Sequence, residues 1–130
     1  MRQLIISLAL ALSALSVSAQ STAIEGNWGT QQQAGPINFD MTFSIAKDLV
    51  TLTNVCSGFG ATVTAQVVVK SAYSEKTLTI LESKQDQKSV NGLDCNVSAA
   101  QDSMNYTIQG DMLVFTHDGA PDSFSLKRKQ

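Results

Sequence analysis

The sequence predicts an all-β fold, and three observations support this prediction. Apolar and polar residues alternate with a period of two over most of the chain beyond residue 19, which is the pattern of a half-buried strand. Threonine and valine are frequent in these runs, as a pleated surface favours. Turn-forming residues separate the runs at nearly regular intervals, and no run has the 3.6-residue period of an amphipathic helix.

Residues 1–19 have the layout of a secretory signal peptide rather than of a strand. Arg2 provides a basic start, an apolar segment follows over residues 4–17, and Ser18 and Ala19 supply the small residues of a cleavage site. The apolar segment is too short to span a bilayer. We therefore expect the mature protein to be periplasmic or secreted and not membrane-spanning, with residues 20–130 forming a single domain.

The first half of this domain is expected to form four strands. A run around Trp28 predicts a strand at 26–33, which ends before a Gly-Pro turn. Strict alternation predicts the next strand at 37–46. A short Lys-Asp connection leads into 49–56, and a glycine-containing reversal leads into a valine-rich strand at 61–70.

The second half contains shorter runs. Alternation predicts strands at 76–83 and, weakly, at 94–98. The runs at 103–109 and 112–117 flank a Gly-Asp turn and are counted together as one hairpin. A last strand is expected at 122–128. The total is about eight strands.

Short connections favour pairing of neighbouring strands in sequence order. Eight strands in that order close into an antiparallel up-and-down barrel, which removes exposed sheet edges. A two-sheet sandwich is the alternative, but its crossovers normally need longer connections. The sequence therefore favours the barrel.

Cys56 and Cys95 are the two cysteines of the chain, and a pair in an exported protein predicts a disulfide. Their separation matches neither a zinc finger nor a Cys-x-x-Cys redox motif. A bridge closing a loop of this length stabilises a fold by about 4 kcal/mol in the chain-entropy model. It would also pin the polar, irregular stretch at 83–102, which is expected to be a loose connection.

Charge and motifs argue against several functions. Nine Lys and Arg face eleven Asp and Glu, a formal net charge of −2, whereas nucleic acid and anionic lipid require a basic surface. The basic residues at 127–129 are interpreted as a solvated tail. His117, the single histidine, lies beside Asp118 in a turn, and no hydrolase or metal-binding motif is present. We expect no enzyme activity, no metal and no cofactor, and we attribute the acidic residues Asp86, Asp94 and Asp102 to loop solubility.

The two ends of the domain carry a tryptophan motif and a cation. Gly26 and Trp28 form a Gly-x-Trp motif at the start of the first strand, and Arg128 (less well Lys127) provides a cation near the end of the last strand. In these features the chain resembles lipocalin-type (calycin) barrels, in particular short secreted bacterial ones. In lipocalins the first-strand tryptophan packs across the closed end of the barrel beneath such an arginine. The resemblance implies the same floor motif here, with the glycine allowing the chain to bend.

The resemblance leaves three functions open. The first expectation is a small apolar ligand at the barrel mouth, because the strands offer apolar side chains that line either a pocket or a packed core. The second is inhibition of a secreted protease through residues 20–25 as an extended arm, as in small barrel inhibitors of metalloproteases. The third is an envelope interaction domain without a pocket. The candidate lining residues are Phe39, Met41, Phe43, Tyr106, Phe115 and Phe124.

Overall fold

The computed structural model describes residues 23–117 and 123–129 of the chain. The signal peptide expected at 1–19 lies outside the described residues. The described residues contain no helix that is long and apolar enough to cross a lipid bilayer. They form ten strands: β1 (Gly26–Ala34), β2 (Ile37–Ile45), β3 (Leu49–Gly58), β4 (Ala61–Tyr73), β5 (Thr77–Ile80), β6 (Lys84–Val90), β7 (Leu93–Ala99), β8 (Asp102–Gln109), β9 (Met112–Thr116) and β10 (Ser123–Arg128).

Eight of these strands form a closed antiparallel barrel in the order β1-β10-β9-β8-β5-β4-β3-β2. The predicted all-β barrel is therefore confirmed. Closure occurs at β1, which pairs with β2 along its whole length and with β10 through Trp28 opposite Arg128 and Gly29 opposite Lys127. Apart from the closing pair of β1 and β10, neighbours in this barrel are also neighbours in sequence, except where β6 and β7 are inserted between β5 and β8.

The inserted segment corrects the prediction for residues 83–102. This stretch is not a loose connection with one weak barrel strand, because β6 and β7 form a separate two-stranded hairpin. β6 shows no apolar alternation, since its seven residues are nearly all polar and mostly exposed. β7 does alternate, with Leu93, Cys95, Val97 and Ala99 buried and the residues between them exposed.

We call the two ends of the barrel the floor and the mouth. The floor contains the start of β1 and the turns at 46–48, 74–76 and 110–111. The mouth contains the turns at 35–36 and 59–60 and the β6–β7 hairpin. The hairpin contacts the mouth-side parts of β3 and β4, and its buried face joins the same hydrophobic cluster as the interior of the barrel.

Candidate functional site

A disulfide fixes the hairpin to the barrel. Cys56 on β3 and Cys95 on β7 are bonded, their Cα atoms lie 5.7 Å apart, and both residues are fully buried. The predicted bridge is confirmed. On the same strands, the Asn54 side-chain amide donates a hydrogen bond to the Asn96 carbonyl oxygen at 2.8 Å. The mouth is therefore partly covered by a segment held covalently and by a buried polar contact.

Side chains from the hairpin also form hydrogen bonds with backbone groups at the edge of β4. The Asp86 carboxylate accepts the Gln66 backbone N–H at 2.9 Å, and Lys84 Nζ donates to the Val68 carbonyl oxygen at 2.9 Å. These contacts replace a backbone ladder and protect an edge that would otherwise invite association with another chain. Attributing Asp86 to loop solubility was wrong, because its carboxylate holds the hairpin against β4.

An apolar cavity lies between the base of the hairpin and the barrel mouth. Its volume is about 170 Å³. Two of the predicted lining residues, Phe43 and Phe124, border it, and Phe124 is 41% exposed at its rim. The described residues that line it are Phe43, Leu52, Ile80, Ser98, Ala99, Ala100, Asp102, Met104 and Phe124.

The other four predicted lining residues lie elsewhere. Phe115 is 1% exposed and stacks on Phe124 with the ring centroids 4.9 Å apart, so it belongs to the packed core. Tyr106 is also buried, and Met41 is half-buried against the core. Phe39 borders a polar groove on β1, β2 and β3 that is separate from the apolar cavity. The interior is thus largely filled, and the cavity is confined to the region below the hairpin.

One acidic residue stands among the apolar ones that line the cavity. Asp102 lies opposite Ile80 in the strand register, on the same face of β8 as Met104. Its Oδ2 atom lies 2.7 Å from His117 Nε2, and its Oδ1 atom accepts the Ser103 N–H at 2.8 Å. The hydrogen bond with His117, and then the one from Ser103, lowers the pKa of the Asp102 carboxyl below its usual value.

This pair was missed at the sequence level. The histidine was placed beside Asp118, which lies outside the described residues, and Asp102 was assigned to loop solubility, which was wrong. The available signal was weak but present, because Asp102 continues the apolar series Met104, Tyr106 and Ile108 with a period of two. An acidic residue at an inward-facing position is unusual.

The floor of the barrel is closed by the contact of Arg128 with the Trp28 ring and by hydrogen bonds to backbone carbonyl oxygens. The Arg128 guanidinium carbon lies 3.9 Å from the centre of the Trp28 ring, and Trp28 is fully buried. Arg128 also donates to the Ala23 carbonyl oxygen at 3.0 Å, while Trp28 Nε1 donates to the Ile24 carbonyl oxygen at 2.8 Å. Gly26 has a φ of +129°, and a Cβ atom there would lie 2.9 Å from the Arg128 guanidinium. Glycine therefore suits this position both for its backbone and for space.

The basic end of the chain is more ordered than a solvated tail. Lys129 Nζ lies 2.7 Å from both Asp40 Oδ1 and Thr42 Oγ1 on β2. Its side chain crosses Gly29, where a Cβ atom would lie 2.5 Å from Lys129 Cε and 2.8 Å from the Met41 carbonyl oxygen. Lys127 is exposed, and it alone of the three basic residues fits the solvated interpretation.

A second polar contact joins the start of β1 to the floor. The Tyr73 hydroxyl donates a hydrogen bond to the Glu25 carboxylate. This bond, followed by burial and by the charge of Glu25, raises the pKa of Tyr73 to about 12. Tyr106 donates its hydroxyl to the Ser74 carbonyl oxygen in the adjacent turn, and burial raises the pKa of Tyr106 as well.

The fold and the two ends define the class of this molecule. It is a closed, eight-stranded antiparallel barrel with one disulfide, an architecture compatible with a lipocalin-like fold. Comparison of the chain with family models, with curated proteins and with solved structures finds no match. The function must therefore be argued from the site itself.

Proposed function

We propose that this protein is an exported, non-enzymatic binding protein of lipocalin-like type, which holds a small apolar ligand in the cavity at the barrel mouth. The observation that carries the proposal is the cavity of about 170 Å³ below the hairpin, with side chains from Phe43, Leu52 and Met104 in its wall. Apolar cavities with a few polar groups at the rim are the usual form of small-molecule sites.

The size of the cavity limits the ligand. An engineered apolar cavity of about 150 Å³ in another protein stays dry and binds benzene. The cavity at the mouth has a similar volume, about 170 Å³, and is open to solvent at the rim where Phe124 is exposed, so it suits a single aromatic ring or a chain of similar bulk. A much larger ligand exceeds this volume and would require the hairpin to move. We therefore propose a ligand about the size of one ring.

Two further features support the proposal. The buried Cys56–Cys95 disulfide fits an oxidising compartment outside the cytoplasm. The contact of Trp28 with Arg128 at the floor has the geometry that the lipocalin resemblance implies.

The protease-inhibitor alternative receives less support. Residues 20–22 of the proposed arm lie outside the described residues, whereas Ile24 is fully buried and both Ala23 and Glu25 accept hydrogen bonds from Arg128. The described part of the arm therefore belongs to the barrel floor. A deletion reaching Ile24 would also remove part of the core, so a loss of inhibition would not identify an inhibitory arm.

Titration with toluene, followed by methyl NMR, tests the proposal. Toluene is a single-ring probe, and the methyl groups of Leu52 and Ile80 report directly on the cavity. We expect saturable shifts at both residues in the native protein. Ala100→Leu should weaken toluene binding by about tenfold or more, because the larger side chain fills the cavity.

Ala72→Leu provides the matched control. Ala72 is exposed and lies opposite Thr79 on the outer face of β4, away from the cavity. It should leave toluene binding unchanged. A native protein without saturable shifts would contradict the proposal and favour an interaction domain that lacks a pocket. Equal binding by Ala100→Leu would show that toluene occupies another site.

A further inference from the structure

We infer that the mouth cavity selects small amphiphiles with a protonated amine next to an apolar ring. The inference rests on the proposed function and adds the chemical class of the ligand. Three observations support it: the negative charge of Asp102 at the rim, the aromatic and methionine side chains in the wall, and the acceptor positions that the Asp102 carboxylate still offers.

The charge at the cavity is negative and uncompensated by lysine or arginine. Among the described residues that line the cavity, Asp102 is the only charged one, and none of them is a lysine or arginine. Asp102 begins β8 on the same face as Met104 and opposite Ile80, and its side chain is nearly half exposed at the rim. A carboxylate on an apolar wall attracts a cationic group and repels an anionic one.

The apolar wall suits the same ligand class. Phe43 and Phe124 line the cavity with ring centroids 6.3 Å apart, and Met104 supplies a polarizable thioether between the acid and the core. Aromatic faces attract ammonium groups in addition to apolar rings, and methionine sulfur packs well against aromatic ligands. An arylalkyl ammonium can therefore place its ring among these side chains and its nitrogen at Asp102.

The carboxylate retains capacity for such a ligand. A carboxylate offers about four acceptor positions, and within the part of the chain that the structure describes Asp102 makes two contacts, one with the Ser103 N–H and one with the His117 ring. Asp102 and His117 are each nearly half exposed, so an incoming ammonium can share the carboxylate or displace the imidazole. The hydrogen bond with His117 lowers the pKa of the Asp102 carboxyl and so favours its ionised form.

Three ring probes that differ only in the charge of the head group test the inference. Benzylammonium, benzyl alcohol and benzoate are titrated into the native protein at about pH 7, where the first is cationic and the last anionic, with the methyl signals of Leu52 and Ile80 as readout. We expect benzylammonium to bind about five- to tenfold more tightly than benzyl alcohol, and benzoate to bind most weakly.

Asp102→Asn should remove the preference for benzylammonium over benzyl alcohol, since the amide keeps the shape and loses the charge. Asp111→Asn is the matched control, because this exposed aspartate lies in a turn at the floor. It should keep the preference. Equal affinities for benzylammonium and benzyl alcohol, or a preference unchanged in Asp102→Asn, would overturn the inference while leaving the proposed function standing. Failure of all three probes to bind, together with the absence of saturable shifts on titration with toluene, would overturn both.

Discussion

The floor and the mouth of this barrel are held together by different means. At the floor, the fully buried Trp28 lies under Arg128 and donates a hydrogen bond to the carbonyl oxygen of Ile24, which is also fully buried. At the mouth, a hairpin that does not belong to the barrel is fastened by a disulfide and by side-chain contacts to the edge of β4. A cavity of about 170 Å³ remains beneath it.

The difference indicates a division of labour between stability and binding. The floor gains its stability from dense packing, which requires that side chains leave no voids. The mouth instead relies on a covalent tie, which stabilises a segment without filling the space below it. Sites that bind ligands are drawn from such less densely packed regions.

Removing the disulfide should cause the largest loss of stability, and the loss should be concentrated at the mouth. The double variant Cys56→Ala, Cys95→Ala opens a loop with a sequence separation of 39 residues and is expected to cost about 4 kcal/mol of unfolding free energy. Urea unfolding measures this loss. Hydrogen exchange should show faster exchange at β7 than at β1, because the hairpin loses its tie while the floor keeps its contacts. Equal acceleration at both strands would contradict the division between floor and mouth.

Arg128→Ala should weaken the floor by a smaller amount. The variant removes the guanidinium over Trp28 and two hydrogen bonds to backbone carbonyls, and it is expected to cost about 1 kcal/mol or somewhat more. Thermal or urea unfolding measures it, with Lys127→Ala on the outer face as the control. An unchanged unfolding midpoint together with solvent-exposed Trp28 fluorescence would argue against the floor motif and the lipocalin resemblance.

Alkaline pH should loosen the floor through Tyr73. The pKa of Tyr73 is raised to about 12 in the fold, so the stabilising contribution is present below its ordinary pKa of about 10 and is lost as the pH rises toward 12. Stability to urea should therefore fall between about pH 10 and pH 12. In Glu25→Gln the phenol should titrate at lower pH, because the charged acceptor of its hydrogen bond is gone. An unchanged absorbance titration of phenolate in that variant would show that Glu25 does not control Tyr73.

The barrel could be predicted from the sequence because its strands show the alternation of apolar and polar residues within their own segments. Phe39, Met41 and Phe43 alternate with polar residues, and this local pattern needs no knowledge of distant contacts. The disulfide was equally accessible, since Cys56 and Cys95 offered one possible pairing. Both predictions depend on short-range pattern or simple counting.

The structure of the mouth could not be predicted from the sequence, because the position of the β6–β7 hairpin is set by tertiary contacts. β6 has a polar sequence and forms a strand through its pairing with β7 and its contacts with the edge of β4. Asp102 and His117 are 15 residues apart in the chain and meet at neighbouring strand ends. The cavity depends on where the inserted hairpin lies, and sequence periodicity carries no information about that position.

Methyl NMR under xenon pressure tests the central claim most directly, because xenon enters dry apolar cavities and needs no particular chemistry. The methyl groups of Leu52 and Met104 line the cavity at the mouth, whereas those of Ile24 and Leu126 are fully packed near the floor. The account predicts saturable shifts at Leu52 and Met104 and none at Ile24 and Leu126. Shifts of equal size at both ends, or none at the mouth, would contradict it.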